Sequence, residues 1–276
     1  MSPTVAAAVI FSAALHATWN ALLRRSSDRR KATGWIGAAT FLTCAPLLPF
    51  VGLPTLAWGF VLTSAALHIV YLRLLASAYD KSELSFAYPI ARGSSPLLVA
   101  LGGAVIASER LSYASLAGIA LISGGILLIG LEQKTWDRQA LVAALAVGAV
   151  IAAYTVVDGL GARRCSSSAQ YNVWCFSIYG SIVAVQSRLF VGDRHPFAEA
   201  RANLPALLSG VASVIAYSIV TWAMVRAPMG MVSALRETSS LFATVIGAVW
   251  LKERTTPLRV AGCAGIVVGA ACFAIR

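Results

Sequence analysis

Charged residues are scarce in this chain. Only 12% of its 276 residues are Asp, Glu, Lys or Arg, whereas 58% are hydrophobic; an ordinary soluble chain is roughly 25% charged. So little charge does not cover a water-facing globule of this size, which excludes a soluble enzyme, a disordered chain and a nucleic-acid-binding domain. The mean hydropathy of +0.77 indicates an integral membrane protein instead.

Motifs for catalysis and metal binding are lacking as well. The sequence has no HExxH helix, no pair of membrane-centred aspartates and no Walker-type glycine loop, and its serines have no recognisable base. Its five cysteines show no CxxC spacing, and four of them fall in apolar runs, which favours packing roles. We therefore predict neither an enzyme nor a cofactor nor a metal site.

Long apolar runs fill the chain instead. A membrane-spanning helix needs roughly 20 predominantly apolar residues. Ten such spans are predicted, at about 3–23, 33–50, 57–77, 84–107, 112–131, 139–160, 169–188, 204–225, 229–251 and 257–275. Almost nothing remains for a soluble domain, so the predicted fold is an all-α integral membrane bundle.

The two halves of the chain repeat each other. At a shift of 144 residues, 13 of the 34 positions from 92 to 125 are identical to those from 236 to 269, where composition gives roughly three or four by chance. The identical pairs include Arg92/Arg236, Ser95/Ser239, Gly103/Gly247 and Glu109/Glu253. We predict two five-helix repeats, residues 1–135 and 136–276. Because five is odd, the second repeat is expected upside down relative to the first.

Inverted repeats are a transporter architecture, with the substrate site near the midplane between the halves. Positive charge predicts the orientation. Of 22 Lys and Arg residues, two lie deep inside spans. The other 20 lie in loops or near span ends: 15 on the side of the loop between spans one and two, and five on the other side, Arg110, Arg163, Arg164, Arg226 and Arg276. The positive-inside rule then places that loop in the cytoplasm and both termini outside, in a multi-pass protein of the plasma (inner) membrane.

Short motifs recur at matching places in both halves. Ser108-Glu-Arg-Leu111 and Lys252-Glu-Arg-Thr255 close the fourth helix of each repeat, and Ala-Gly-rich fifth helices follow. In these features the whole chain resembles the drug/metabolite transporter superfamily, and within it the EamA-like ten-helix permeases. The string His16-Ala-Thr-Trp-Asn20 is similar to a subgroup associated with phosphonate use.

This resemblance implies a central cavity lined by helices 1 to 4 and 6 to 9. It also implies alternating access without ATP and a monomer that is sufficient for transport. Family members usually begin with a basic, cytoplasmic N-terminus, which this chain lacks. The family's habit and the charge count therefore give opposite orientations.

Two arginines lie inside predicted spans at repeat-related positions. An arginine near mid-bilayer costs at least about 2.5 kcal/mol on insertion scales, so Arg92 and Arg236 each need a partner. Their guanidinium forks suit a carboxylate, phosphate or phosphonate, and we predict that they bind the substrate. The alternative is a structural role for both, for instance Arg92 on a neighbouring carbonyl and Arg236 paired with Glu237. Adjacent residues of a helix point about 100° apart, which argues against the second pair. Glu237 is expected to bind a substrate amine, to take a coupling proton or to balance an arginine.

Further side chains are predicted to complete the site and its gates. The rest of the predicted substrate site consists of hydroxyl, aromatic and amide side chains: Ser95, Ser239, Tyr71, Tyr217, Trp19, Asn172 and Trp174. His16 with Asn20 and Tyr154 with Asp158 are spaced four apart and so share helix faces. These two repeat-related pairs are predicted as gates or proton-coupling groups. Helix packing and interface anchoring are the alternatives.

The leading hypothesis is a secondary active permease for a small anionic or zwitterionic metabolite, such as an amino acid, a carboxylate or an aminophosphonate. Its expected partners are the lipid bilayer, the substrate and protons, through proton coupling or exchange, and no nucleic acid. The alternative is an exporter of cationic drugs or amines, with Glu237 and Asp158 as acidic sites. The arginine pair separates the two hypotheses because it repels an organic cation.

Overall fold

The computed structural model describes residues 1–23, 29–81, 84–130, 138–191, 203–250 and 256–274. Within these ranges every regular element is a helix. In chain order the helices are α1 (Pro3–Leu23), α2 (Arg29–Cys44, continued by a 3₁₀ turn at Ala45–Leu47 and a short helix at Leu48–Val51), α3 (Trp58–Lys81), α4 (Leu84–Ile106), α5 (Tyr113–Gly130), α6 (Arg138–Arg164), α7 (Ser168–Val191), α8 (Leu204–Met224), α9 (Met229–Arg236), α10 (Ser239–Trp250) and α11 (Pro257–Cys272).

The ninth predicted span, 229–251, consists of two helices. Helix α9 ends at Arg236 and α10 begins at Ser239. At the break, the backbone N–H groups of Glu237 and Thr238 donate to carbonyls three residues back, at 2.9 and 3.1 Å. The Thr238 hydroxyl donates to the Leu235 carbonyl at 2.8 Å. Such tight turns interrupt the regular α-helical ladder, so the direction of the Glu237 side chain no longer follows helical spacing.

Six helices in the described part of the chain are long and apolar enough to cross a membrane. Two further apolar helices, Pro3–Thr18 and Pro257–Cys272, are shorter. The predicted all-α membrane class is therefore confirmed, while the count of ten spans in an inverted repeat stays a prediction. Large apolar side chains also face outward: Phe50, Val105 and Val249 are 84%, 74% and 70% exposed. A bundle with this outer surface is stable in lipid rather than in water.

Close backbone contact joins α5 to α11. A Cβ added at Gly125 would lie 2.5 Å from the Gly262 carbonyl oxygen, and one at Gly118 would lie 2.7 Å from the Gly269 carbonyl oxygen. Glycine is therefore required at these positions, because any side chain would separate the helices. The small-residue face of the last helix thus packs within the chain itself.

Helix α9 lies inside the bundle. Helix α6 packs against α3 and α4, and α1 packs against α8 and α10, while α2 lies between α7 and α8. Helix α9 contacts α4, α1 and α5, and all eight of its residues are buried. The break after α9 therefore lies inside the protein, where its polar side chains need internal partners or a ligand.

Candidate functional site

A buried group of three charges lies at the break after α9. Arg92, on α4, approaches Glu237 with 2.8 Å between Nε and Oε2. Arg236, the last residue of α9, lies 3.7 Å from the other oxygen of Glu237, measured from Nη2 to Oε1. The side chains are 7%, 5% and 0% exposed for Arg92, Arg236 and Glu237. One carboxylate therefore lies between two guanidinium groups in a medium of low dielectric constant.

The structure brings Arg92 and Glu237 together although they are far apart in sequence. The sequence alone argued against pairing of Arg236 with Glu237, because adjacent residues of a helix point about 100° apart. The break at 237–238 removes that restriction. As a result Glu237 faces Arg92 closely and Arg236 more loosely.

The serines beside the arginines behave differently from each other. Ser239 accepts a hydrogen bond from Arg92 Nη2 at 3.2 Å. The Ser95 hydroxyl donates to the Arg92 backbone carbonyl at 3.3 Å, within its own helix. Ser239 therefore holds the Arg92 guanidinium, whereas Ser95 is engaged by the backbone of α4.

Arg236 keeps a donor that the described residues do not use. Its Nε is buried, with neither a hydrogen bond nor an ion pair in this part of the chain, whereas its Nη2 lacks a hydrogen bond but faces Glu237 at 3.7 Å. Arg92 Nε and the Glu237 oxygens likewise meet as ion pairs without a regular hydrogen bond. The Arg236 guanidinium lies 5.9 Å from the centre of the Tyr217 ring, and Arg92 has a similar contact with Tyr88 at 5.7 Å. Because buried polar groups in proteins are nearly always satisfied, the Nε donor of Arg236 indicates a place where a ligand or water binds.

A second polar centre surrounds Asp158 on α6. Its side chain is fully buried and accepts hydrogen bonds from Tyr171 at 2.8 Å and from Tyr217. Asp158 forms no ion pair among the residues that the structure describes. Two phenol donors therefore solvate this carboxylate, and Tyr217 connects it to Arg236.

Aromatic rings form a layer beside both centres. Tyr154 stacks on His68 with 4.2 Å between ring centroids, and Tyr71 meets Tyr154 edge-on at 5.8 Å. His68 also lies 5.3 Å from Tyr179 and 6.0 Å from Tyr217. Sequence reasoning missed His68. Its spacing of three residues before Tyr71 on α3 was the available signal, since such residues share a helix face.

The remaining predicted residues divide into two groups. His16, on α1, lies within electrostatic range of Arg92 and Arg236. Asn20 donates to the His16 carbonyl at 2.8 Å, along its own helix. The Trp19 side chain lies outside the part of the chain that the structure describes.

Asn172 and Trp174, on α7, bond to other partners. The Asn172 amide donates to the Thr221 hydroxyl at 2.5 Å. The Trp174 indole donates to the Gly52 carbonyl at 2.7 Å, and its ring lies 5.0 Å from that of Trp58. Their assignment to the substrate site stays a prediction. No group of three or more His, Cys, Asp or Glu arranged for a metal occurs among the described residues.

Comparison with known proteins gives three results. The model of the EamA-like transporter family matches residues 138–275. A protein of known crystal structure aligns with 98% of this chain and 95% of its own, with a TM-score of 0.73 and 20% identity, a likeness that concerns the fold alone. No curated protein matches the chain. The family match includes Asp158, Tyr217, Arg236 and Glu237, and also residues 192–202, 251–255 and 275, which the structure does not describe.

Proposed function

This chain belongs to the EamA-like transporter family, and from that premise we propose that it carries a small anionic or zwitterionic metabolite by alternating access. The family consists of membrane transporters of the drug/metabolite type rather than enzymes. The finer proposal concerns the substrate: an amino acid, a carboxylate or an aminophosphonate, bound at the buried arginines of α4 and α9. We place the protein in the plasma (inner) membrane.

The observation that carries the proposal is the unequal satisfaction of the buried charges. Arg92 and Arg236 bring two positive charges and Glu237 brings one negative charge, which leaves an excess of one positive charge within this group of three. The buried carboxylate of Asp158 reaches Arg236 only through the Tyr217 side chain. The Nε donor of Arg236 also has neither a hydrogen bond nor an ion pair among the described residues. An uncompensated buried charge costs several kcal/mol, and an anionic group on the substrate offsets that cost. The guanidinium fork suits one carboxylate or phosphonate.

The packing of the helices supports two inverted repeats, residues 1–135 and 136–276. Under the sequence repeat, α1 corresponds to α6 and α3 to α8. The α3·α6 contact then has its counterpart in the α8·α1 contact. The repeat also relates α2 to α7 and α5 to α11, and the helices of each of these pairs contact each other. This reciprocal pattern is what a two-fold axis between the halves produces, and it suits rocking of one half against the other.

For coupling we propose proton transfer or exchange through the repeat-related pairs His16 with Asn20 and Tyr154 with Asp158, of which Asp158 offers the clearest structural basis. Asp158 accepts two phenol hydrogen bonds that connect α6 to α7 and α8. A proton on this carboxylate would remove one acceptor and weaken one of these connections. A buried carboxylate whose protonation changes the contacts between helices has the property that proton coupling requires.

The testing experiment is thermal unfolding of the purified protein with small probes at constant ionic strength: acetate, glycine, 2-aminoethylphosphonate and choline. A compound that binds only the folded state raises the free energy of unfolding, by about 2.7 kcal/mol at a concentration 100 times its Kd, and therefore raises the melting temperature. We expect stabilisation by acetate, glycine or 2-aminoethylphosphonate. The effect should disappear in Arg236→Met and persist in Arg226→Met, whose arginine lies over Trp222 instead.

One observation favours a second candidate, an exporter of organic cations. Asp158 and Glu237 are fully buried carboxylates, and His68, Tyr154 and Tyr217 present aromatic rings beside them. Ring faces and a carboxylate attract a quaternary ammonium. Stabilisation by choline alone, unchanged in Arg236→Met, would overturn the anion proposal and favour this one.

A further inference from the structure

Helix α9 is held at its N-terminus by a side chain from elsewhere in the chain. Its own N-cap residue, Pro228, makes no side-chain capping bond. Glu109, three residues beyond the end of α4, accepts the Met229 N–H through Oε2 at 2.8 Å. A carboxylate at this place satisfies one of the orphan donors of the helix and interacts favourably with the helix dipole.

The other oxygen of Glu109 binds Arg163, at the C-terminal end of α6. The Nη2 to Oε1 distance is 2.5 Å. Arg163 also donates to the last carbonyl of α8, that of Met224, from Nε at 3.0 Å and from Nη2 at 2.7 Å. A further bond reaches the Ala227 carbonyl at 3.3 Å. These two side chains, the α9 clamp, therefore join the ends of α4, α6, α8 and α9.

The local backbone is shaped for this contact. Ser108 has a φ of 53°, a left-handed conformation that is uncommon outside glycine, and the Glu109 N–H returns to the Gly103 carbonyl at 3.0 Å. A Cβ at Gly103 would lie 2.6 Å from Glu109 Oε2. The carboxylate thus crosses the helix where only glycine leaves room. Gly103 and Glu109 recur in the second half of the sequence as Gly247 and Glu253.

The opposite end of α9 carries Arg236. The helix has eight residues, so the clamp and the arginine are about 12 Å apart along its axis. Eight residues make only about two helical turns, so displacement of one end of this buried helix is expected to carry the other end with it. Release of its N-terminus would therefore displace Arg236 relative to Arg92, which α4 carries.

We propose that the α9 clamp, Glu109 with Arg163, couples closure of this end of the bundle to the position of Arg236 in the substrate site. Glu109 and Arg163 are positioning residues in this scheme, since they act on the substrate through α9. The inference rests on the proposed function, because it treats Arg236 as part of the substrate site. Its test is chosen to need neither a substrate nor transport.

The first readout follows separation of α9 from α4. Ala100 on α4 packs directly against Gly230 on α9 and is 8% exposed. Ala100→Cys, in a full-length chain without its five native cysteines, reports separation as its rate of reaction with a membrane-impermeant maleimide. We expect slow labelling, a rise on the order of tenfold in Glu109→Ala, and a smaller rise in Glu109→Gln, which keeps an acceptor for the Met229 N–H.

The second readout follows Arg236 itself. Phenylglyoxal modifies exposed arginines, and mass spectrometry locates the products. Arg236 should become reactive in Glu109→Ala and Arg163→Met, while Arg92 changes much less. Arg164→Met is the matched control, because its guanidinium lies 4.5 Å from the Phe60 ring and outside the clamp. Arg163→Lys should behave like Arg163→Met, since an ammonium does not bridge Glu109 and two carbonyls as a guanidinium does.

The clamp proposal is overturned if both readouts, Ala100→Cys labelling and Arg236 reactivity, stay unchanged in the clamp variants. This holds for variants that unfold within a few degrees of the parent chain. If Glu109→Ala does not fold, Glu109→Gln decides the matter, because it retains the helix cap and loses only the ion pair. A failed thermal-shift screen would remove the anion proposal and leave these readouts intact. Transport that survives with both readouts unchanged would remove the clamp alone.

Discussion

Arg92 and Arg236 occupy equivalent positions of the sequence repeat, yet their surroundings differ. Arg92 lies inside the continuous helix α4 and has both a close carboxylate and a serine acceptor. Arg236 ends a short helix, lies 3.7 Å from the same carboxylate and keeps its Nε donor without a hydrogen bond or ion pair among the described residues. The repeated sequence thus places two equivalent arginines. Because of the break after α9, Arg92 is a held charge, bound by a carboxylate and a serine, whereas Arg236 is an available charge that can bind a ligand.

Removal of the Glu237 carboxylate, which both arginines share, should have the largest effect on stability. Glu237→Gln leaves two buried guanidinium groups without their counter-charge, and loss of one partner from a buried pair costs about 3 to 5 kcal/mol. We expect a marked fall in melting temperature in detergent, partly reversed by acetate, which would occupy the carboxylate's place. A Glu237→Gln protein as stable as the parent would show that the triad is not an electrostatic unit.

The two arginines themselves should respond in opposite ways. Arg92→Met removes the closest partner of Glu237 and should cost about 3 kcal/mol. Arg236→Met removes the excess charge, so its stability should equal or exceed that of the parent, while its response to anions disappears. Parallel melting curves with and without acetate measure both effects. Equal destabilisation by the two substitutions would contradict the distinction between held and available charge.

The repeat-related serines give the smallest effect and a matched pair. Ser239→Ala removes the acceptor of Arg92 Nη2 and should cost about 1 kcal/mol. Ser95→Ala removes only a bond to the carbonyl of its own helix and should cost less. Thermal unfolding of both variants beside the parent checks the order. The reverse order would place the functional serine on α4.

Much of the fold could be predicted from the sequence. Apolar runs of spanning length and scarce charge require helices in lipid, and the predicted span 204–225 agrees closely with Leu204–Met224. The presence of Arg92 and Arg236 inside the bundle followed from the cost of charge in a membrane. These inferences depend on composition and length, which do not require knowledge of packing.

The partners within the site could not be predicted in the same way. The ion pair of Arg92 with Glu237 depends on the turns at 237–238, and no glycine or proline marks that break. His68 contributes through packing between α3, α6 and α8, and Asn172 meets Thr221 across α7 and α8. Helix rotation decides such contacts, and it is set by the whole core rather than by local residues.

The glycine contacts between α5 and α11 have a mechanical consequence. Where Gly125 meets the Gly262 carbonyl and Gly118 meets that of Gly269, main chain lies against main chain. No layer of side chains separates α5 from α11 at these points. Sliding of one helix along the other would therefore bring carbonyl oxygens into collision with Cα atoms. We expect α5 and α11 to keep their relative position during transport, while the other helices move around them.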